Sequence, residues 1–149
     1  FLNIDEDKFD QSLIVRSCQI HSMMPMMQFS VAPWRILSKE NLEICRKYAL
    51  LHEQMGDYIL EQACYSAQTG EPIVRAMDYM FPGQGFEECN DQYMLGDKYL
   101  VAPVMDAGTS RTVKLPKGRW IDENGKKYKG GKTYTLEVPL SRLPIFTRQ

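Results

Sequence analysis

The sequence predicts an α+β chain whose front half is mostly helical and whose rear half is rich in β-strands, with the boundary near Gly70 to Pro72. Three observations predict this. Before Gly70, apolar residues recur at helical spacing. After it, short runs rich in Val, Ile, Tyr, Phe and Trp crowd together. Gly, Asp, Asn and Pro separate those runs, and these residues favour tight turns.

The front half reads in order. Residues 5–22 fit a helix: Asp5, Glu6 and Asp7 lie in a first turn where the dipole favours acids, and Phe9, Leu13, Arg16 or Ser17, and Ile20 share a face. Pro25 cannot continue that helix. The Met-rich run at 24–29 then suits a buried strand. Residues 31–37 form a loop, and Ser38 is an N-cap. Leu42, Cys45, Tyr48 or Ala49, and His52 trace the next helical face. Gly56 interrupts and Asp57 can restart the helix. Ile59, Ala63, Cys64 and Ala67 mark a further face that ends at the Gly70 stop signal.

In the rear half, residues 72–75 and 77–81 read as extended. Strands are expected at 93–95, 99–104, 112–115, 119–121, 127–129, 134–138 and 144–146. Asn124-Gly125 signals a hairpin between the Trp120 and Tyr128 strands. The arrangement predicts an independent antiparallel β-sandwich with Trp120 and Phe146 in its core.

Composition narrows the function classes. With 149 residues, 44% hydrophobic and 25% charged, the chain suits one ordinary domain or two small ones rather than disorder. A net charge of −1 gives no reason to expect nucleic acid or an anionic membrane as partner. No stretch approaches the roughly 20 apolar residues that span a bilayer. The opening at Phe1 is not a signal peptide and suggests that sequence lies upstream. Cys18, Cys45, Cys64 and Cys89 form no CxxC pair. The first three fall in helical patterns, where buried free thiols are expected, and reduced thiols suit a cytosol. His52 reads as a packed core residue. Neither His52 nor His21 has a second ligand type at useful spacing, so no metal and no cofactor are expected.

A glycosidase needs two carboxylates across the scissile bond. Asp5, Glu6 and Asp7 read as helix-start residues, Glu87, Glu88 and Asp91 as a polar loop, and Asp97 as a turn. No convincing pair emerges, and the residues by themselves specify only a helical segment followed by a β-sandwich.

The run Asp91-Gln92-Tyr93-Met94-Leu95-Gly96-Asp97-Lys98-Tyr99-Leu100-Val101-Ala102-Pro103-Val104 resembles a signature of glycoside hydrolase family 31, the α-glucosidase and α-xylosidase family. Residues 15–19 resemble that family's helix after the seventh barrel strand, and residues 25–30 its eighth strand. Residues 69–75 resemble the entry to its proximal C-terminal β-domain, and 115–122 and 139–146 later strands of that domain. These motifs stand in the family's order across nearly the whole chain.

The resemblance implies a helical fragment of a (β/α)8 barrel in residues 1–71, followed by the proximal β-sandwich in 72–149. It implies retaining, exo-acting α-glycoside hydrolysis by the full-length enzyme on a glycoside or oligosaccharide. Both catalytic Asp residues would lie upstream of Phe1, so the chain alone is expected to be inactive. Many members end the eighth strand with Arg-Asn-His; Gln28, Phe29 and Ser30 stand at those positions. The resemblance therefore makes Gln28 and Ser30 substrate-binding candidates. Trp34 either stacks on a sugar at the mouth of the site or packs on a neighbouring loop. An unpaired barrel edge would promote self-association of the chain. The competing reading is a free-standing carbohydrate-binding or structural β-sandwich with a helical extension.

Overall fold

The computed structural model describes residues 10–149. The helix expected from residue 5 starts at Gln11: α1 spans Gln11–Ser22, and the Asp10 carboxylate caps it by accepting from the Ser12 amide at 2.9 Å. The readings of Asp5, Glu6, Asp7 and Phe9 lie outside the described residues. Helix α2 spans Lys39–Gln54 with Ser38 as its N-cap, and α3 spans Gly56–Thr69. Gly70 ends α3 with φ +79°, the left-handed cap that glycine adopts without a Cβ penalty. No described helix is long and apolar enough to cross a membrane.

The strands are β1 Val74–Ala76, β2 Tyr93–Leu95, β3 Tyr99–Val101, β4 Ser110–Leu115, β5 Arg119–Asp122, β6 Lys127–Lys129, β7 Lys132–Glu137 and β8 Ile145–Arg148. They form two antiparallel sheets, a six-stranded one in the order β1-β2-β3-β8-β5-β6 and a two-stranded one of β4 and β7. The Asn124-Gly125 hairpin joins β5 to β6, with Gly125 at φ +81°. The buried Asp122 carboxylate organises that turn by accepting from the Asn124 and Lys126 amides at 3.0 and 2.9 Å.

Strand alternation gives the large sheet two apolar faces. Met94, Leu100 and Phe146 lie in one cross-strand row and, with Trp120, meet Val113, Leu115 and Leu136 of the small sheet in a common core. Trp120 and Phe146 are fully buried, each contributing on the order of 1.5–3 kcal/mol. The Gln92 side-chain amide stitches the layers, donating to the Lys114 carbonyl at 2.8 Å and accepting from its amide at 3.1 Å. The opposite face, with Leu95, Val101 and Ile145, packs on Val15, Cys18, Met23, Cys45, Tyr48 and Met55 of the helical layer. Alternation does not reveal one feature of the rear half: the helices cover one face of its main sheet.

Four other expectations change. Met77 to Phe81 is not extended: α4, Met77–Met80, turns there, because Met77 and Phe81 stand four apart and both point into the core. The buried face of α1 is Val15, Arg16, Cys18, Gln19 and Ser22, while Leu13 is exposed. Cys64 and Ala67 of α3 are also exposed, and the helix turns Met55, Tyr58, Ile59 and Gln62 inward instead. Finally, residues 24–29 form no strand, and Met26 is 82% exposed. Strand pairing needs neighbours, and no described strand lies beside this run.

Candidate functional site

The segment carrying Gln28, Ser30 and Trp34 is an exposed loop anchored at both ends. At its start, Met23 is buried and the Ser22 carbonyl lies 3.2 Å from His52 Nδ1 on α2. At its end, Gln11 Oε1 accepts from the Ser38 amide and from Asn41 Nδ2, both at 2.8 Å, tying α1 to the start of α2. A single 3-10 turn, Pro33–Arg35, carries Trp34. Met27 and Leu37 pack inward against the helical core. Between these anchors Gln28 and Ser30 are exposed, Phe29 is 40% exposed and Trp34 73% exposed. All three sequence candidates thus lie on one loop, which also exposes Met26 and Phe29. Among the described residues, the side chains of Gln28 and Ser30 and the Trp34 indole make no hydrogen bond, which leaves them available to a ligand or to a neighbouring part of the protein.

Four of the carboxylates elsewhere, Asp91, Asp97, Asp122 and Glu123, are engaged structurally. Arg111 donates to Asp91 Oδ2 at 2.6 Å, and this bond holds the Asp91 carboxyl below the usual carboxylate range. Arg142 spans Asp122 and Glu123, at 3.4 and 2.5 Å, and Glu123 also accepts from the Ile145 amide. Asp97 accepts from the Tyr58 hydroxyl at 3.2 Å. Each of these four carboxylates is engaged by a partner within the fold.

A second group of polar residues ties the helical layer to residues 138–142, and the sequence reading misses it. Five consecutive carbonyls, 138–142, accept hydrogen bonds from the helical layer. The buried Arg16 guanidinium donates to Val138, Pro139 and Arg142 at 2.9, 3.3 and 3.0 Å, and Gln19 Nε2 donates to Leu140 at 2.6 Å. The Tyr48 hydroxyl donates to Ser141 at 3.1 Å; burial pushes its pKa up to about 12, so it remains a neutral donor. A signal was present: Arg16 and Gln19 stand three apart, on one face of α1. The apolar spacing takes in Arg16 or Ser17 but passes over Gln19, because a glutamine adds nothing to an apolar pattern.

With the geometry in place, the comparisons assign the chain. Residues 70–149 match the model described as the glycosyl hydrolase family 31 C-terminal domain. The chain belongs to glycosyl hydrolase family 31. Among its relatives in the family, the mouse myogenesis-regulating glycosidase is 34% identical over 91% of the chain, and the 1,3-alpha-isomaltosidase of Kribbella flavida is 29% identical over 93%. The chain spans only 19% and 22% of the length of those two proteins. Among solved structures, the Flavobacterium johnsoniae GH31 dextranase matches with TM-score 0.85, at 32% identity over 93% of this chain and 18% of its own. The cycloalternan-degrading enzyme from Trueperella pyogenes matches with TM-score 0.84, at 29% identity over 92% of this chain and 22% of its own. These family 31 folds superpose on far more of the chain than the β-rich domain that the family model covers, so the helical half is part of the likeness.

Proposed function

We propose that the chain is the C-terminal part of a retaining, exo-acting α-glycoside hydrolase of the α-glucosidase or α-xylosidase type. In this reading residues 1–71 complete the wall of a (β/α)8 barrel, residues 72–149 form the β-domain that supports it, and both catalytic Asp residues lie upstream of Phe1. The observation that carries it is the uncovered loop at 26–34. Its exposed Met26, Phe29 and Trp34 lie on the helical layer of a chain that covers about a fifth of its relatives. The run at 24–29 becomes a barrel strand only when neighbouring strands supply its pairing.

The test compares the 149-residue chain with the full-length enzyme on chromogenic α-glucoside, α-xyloside and α-galactoside. The full-length enzyme is expected to release chromophore, and the chain none, because binding contacts without the carboxylate pair do no acid–base work. Sedimentation of the chain alone is expected to show species above the monomer, as the uncovered apolar loop finds another copy. Release by the chain that vanishes on mutating one of its own carboxylates would reject the assignment.

In this reading Gln28 and Ser30 stand at the C-terminal end of the strand and meet the sugar, with Trp34 at the mouth of the site. Ser30→Ala in the full-length enzyme is expected to raise KM by about fivefold, the loss of one neutral hydrogen bond of roughly 1 kcal/mol, with Tm unchanged within about 1 °C. Unaltered kinetics on the natural sugar would reduce Ser30 to a turn residue.

A further inference from the structure

Two exposed aromatic side chains lie far in sequence from the 26–34 loop and have no part in the core. Tyr65 on α3 is 46% exposed and Tyr79 on α4 is 53% exposed. An exposed tyrosine is ordinary by itself. These two are connected and supported from beneath. The Tyr79 hydroxyl donates to Glu71 Oε2 at 2.7 Å, so the link between α3 and β1 fixes the ring of α4. Arg75 lies under the other ring, its guanidinium carbon 6.0 Å from the Tyr65 centroid. Arg75 is itself buried, donating through Nε to the Pro72 carbonyl at 2.7 Å and through an Nη to Gln62 Oε1 at 3.3 Å. The cation therefore serves as a fixed support for the Tyr65 ring and not as a mobile surface charge. The short segment 71–75 thus carries the partners of both rings, Glu71 for Tyr79 and Arg75 for Tyr65.

The result is two exposed, amphipathic rings, each held by a partner, beside a half-buried carboxylate whose remaining oxygen, Oε1, accepts no hydrogen bond among the described residues. Rings fixed in advance give contact area at low entropic cost. An aromatic face takes an apolar C–H surface, and a carboxylate takes hydroxyl donors. A pyranose offers both on one small body, an axial C–H face and an equatorial hydroxyl rim. A flat apolar ligand would leave the carboxylate unused, and an anion would be repelled by it.

We infer that Tyr65, Glu71 and Tyr79 form a surface subsite for a neutral oligosaccharide, with the two rings stacking on sugar units and Glu71 accepting from their hydroxyls. Arg75 is its positioning residue. The choice of sugar over other polyols rests on the glycosidase reading, but the binding itself does not require catalysis.

Titration of the 149-residue chain with isomaltotriose, followed by calorimetry and by ligand-observed NMR, tests it. Binding is expected in the millimolar range. Tyr65→Ala and Tyr79→Ala should each weaken it about tenfold and the double variant should abolish it, whereas Glu71→Gln, which can still accept from Tyr79, should weaken it about threefold. Circular dichroism should show all four variants folded, since both rings are on the surface. Leu13→Ala, at an exposed residue of α1, should bind as the parent does. No binding at tens of millimolar, binding that survives in the double tyrosine variant, or binding lost in Leu13→Ala would each overturn the subsite. Hydrolysis by the full-length enzyme is scored separately: tyrosine-dependent binding without turnover rejects the glycosidase reading and keeps the subsite, and turnover without tyrosine-dependent binding does the reverse.

Discussion

Gly130→Ala is expected to lower the stability of the fold by about 3–5 kcal/mol, among the largest effects available from a single methyl group. A Cβ at Gly130 would stand 1.9 Å from the Pro116 carbonyl oxygen and 2.9 Å from backbone atoms of Gly118. Backbone cannot rotate aside as a side chain can. The Pro116 oxygen also accepts the buried Trp120 indole N–H at 2.9 Å, so displacing it costs a core hydrogen bond as well. Gly125→Ala is the control: φ is +81° but nothing lies within 4 Å, so only backbone strain of about 1–2 kcal/mol applies. The measurement is urea unfolding followed by Trp120 fluorescence in a Trp34→Phe background, Trp34 and Trp120 being the chain's two tryptophans. Equal midpoints for the two alanine variants would show that the turn yields without cost.

Arg16→Ala is expected to cost about 3–5 kcal/mol by a different route. It strands three carbonyls that the guanidinium now serves and empties the space it fills beneath residues 138–142. Among the described residues no carboxylate bridges Arg16, so the interaction is a charge held by neutral dipoles. Burial lowers the Arg16 pKa yet leaves an arginine charged at any ordinary pH. Arg16→Lys should recover less than half of the loss, since one ammonium cannot reproduce a fork reaching carbonyls on both sides. Hydrogen exchange should show faster opening around Leu143 and Ile145 in the alanine variant. A change below 1 kcal/mol would mean that water replaces the fork without penalty.

Much of this architecture is legible in the sequence, and the losses have identifiable causes. Strands β2 and β6, the Asn124-Gly125 turn, the Ser38 cap and the Gly70 stop are local signals, and local geometry obeys them. The buried face of α1 is not legible, because Arg16 and Gln19 are buried by acceptors more than a hundred residues away. Met77 and Phe81 mislead because a short apolar run fits a strand or a helical turn equally well until packing decides. Residues 24–29 have the composition of a buried strand but no described neighbour with which to pair. The loop candidates Gln28, Ser30 and Trp34 came from family likeness, and neither periodicity nor charge marks them.

The row of carbonyls at 138–142 has a consequence for how the polypeptide can be divided. The family model begins at residue 70, which suggests a cut there. Such a cut would remove Arg16, Gln19, Lys47 and Tyr48, the donors on the helical side, and would bare Leu95, Val101 and Ile145 to water. A segment started at Gly70 should therefore be insoluble or partly molten. Heat should melt the two halves in a single cooperative transition, and a protease should find no cut between them that leaves both pieces folded. The boundary visible in composition would then fall inside one cooperative unit of unfolding.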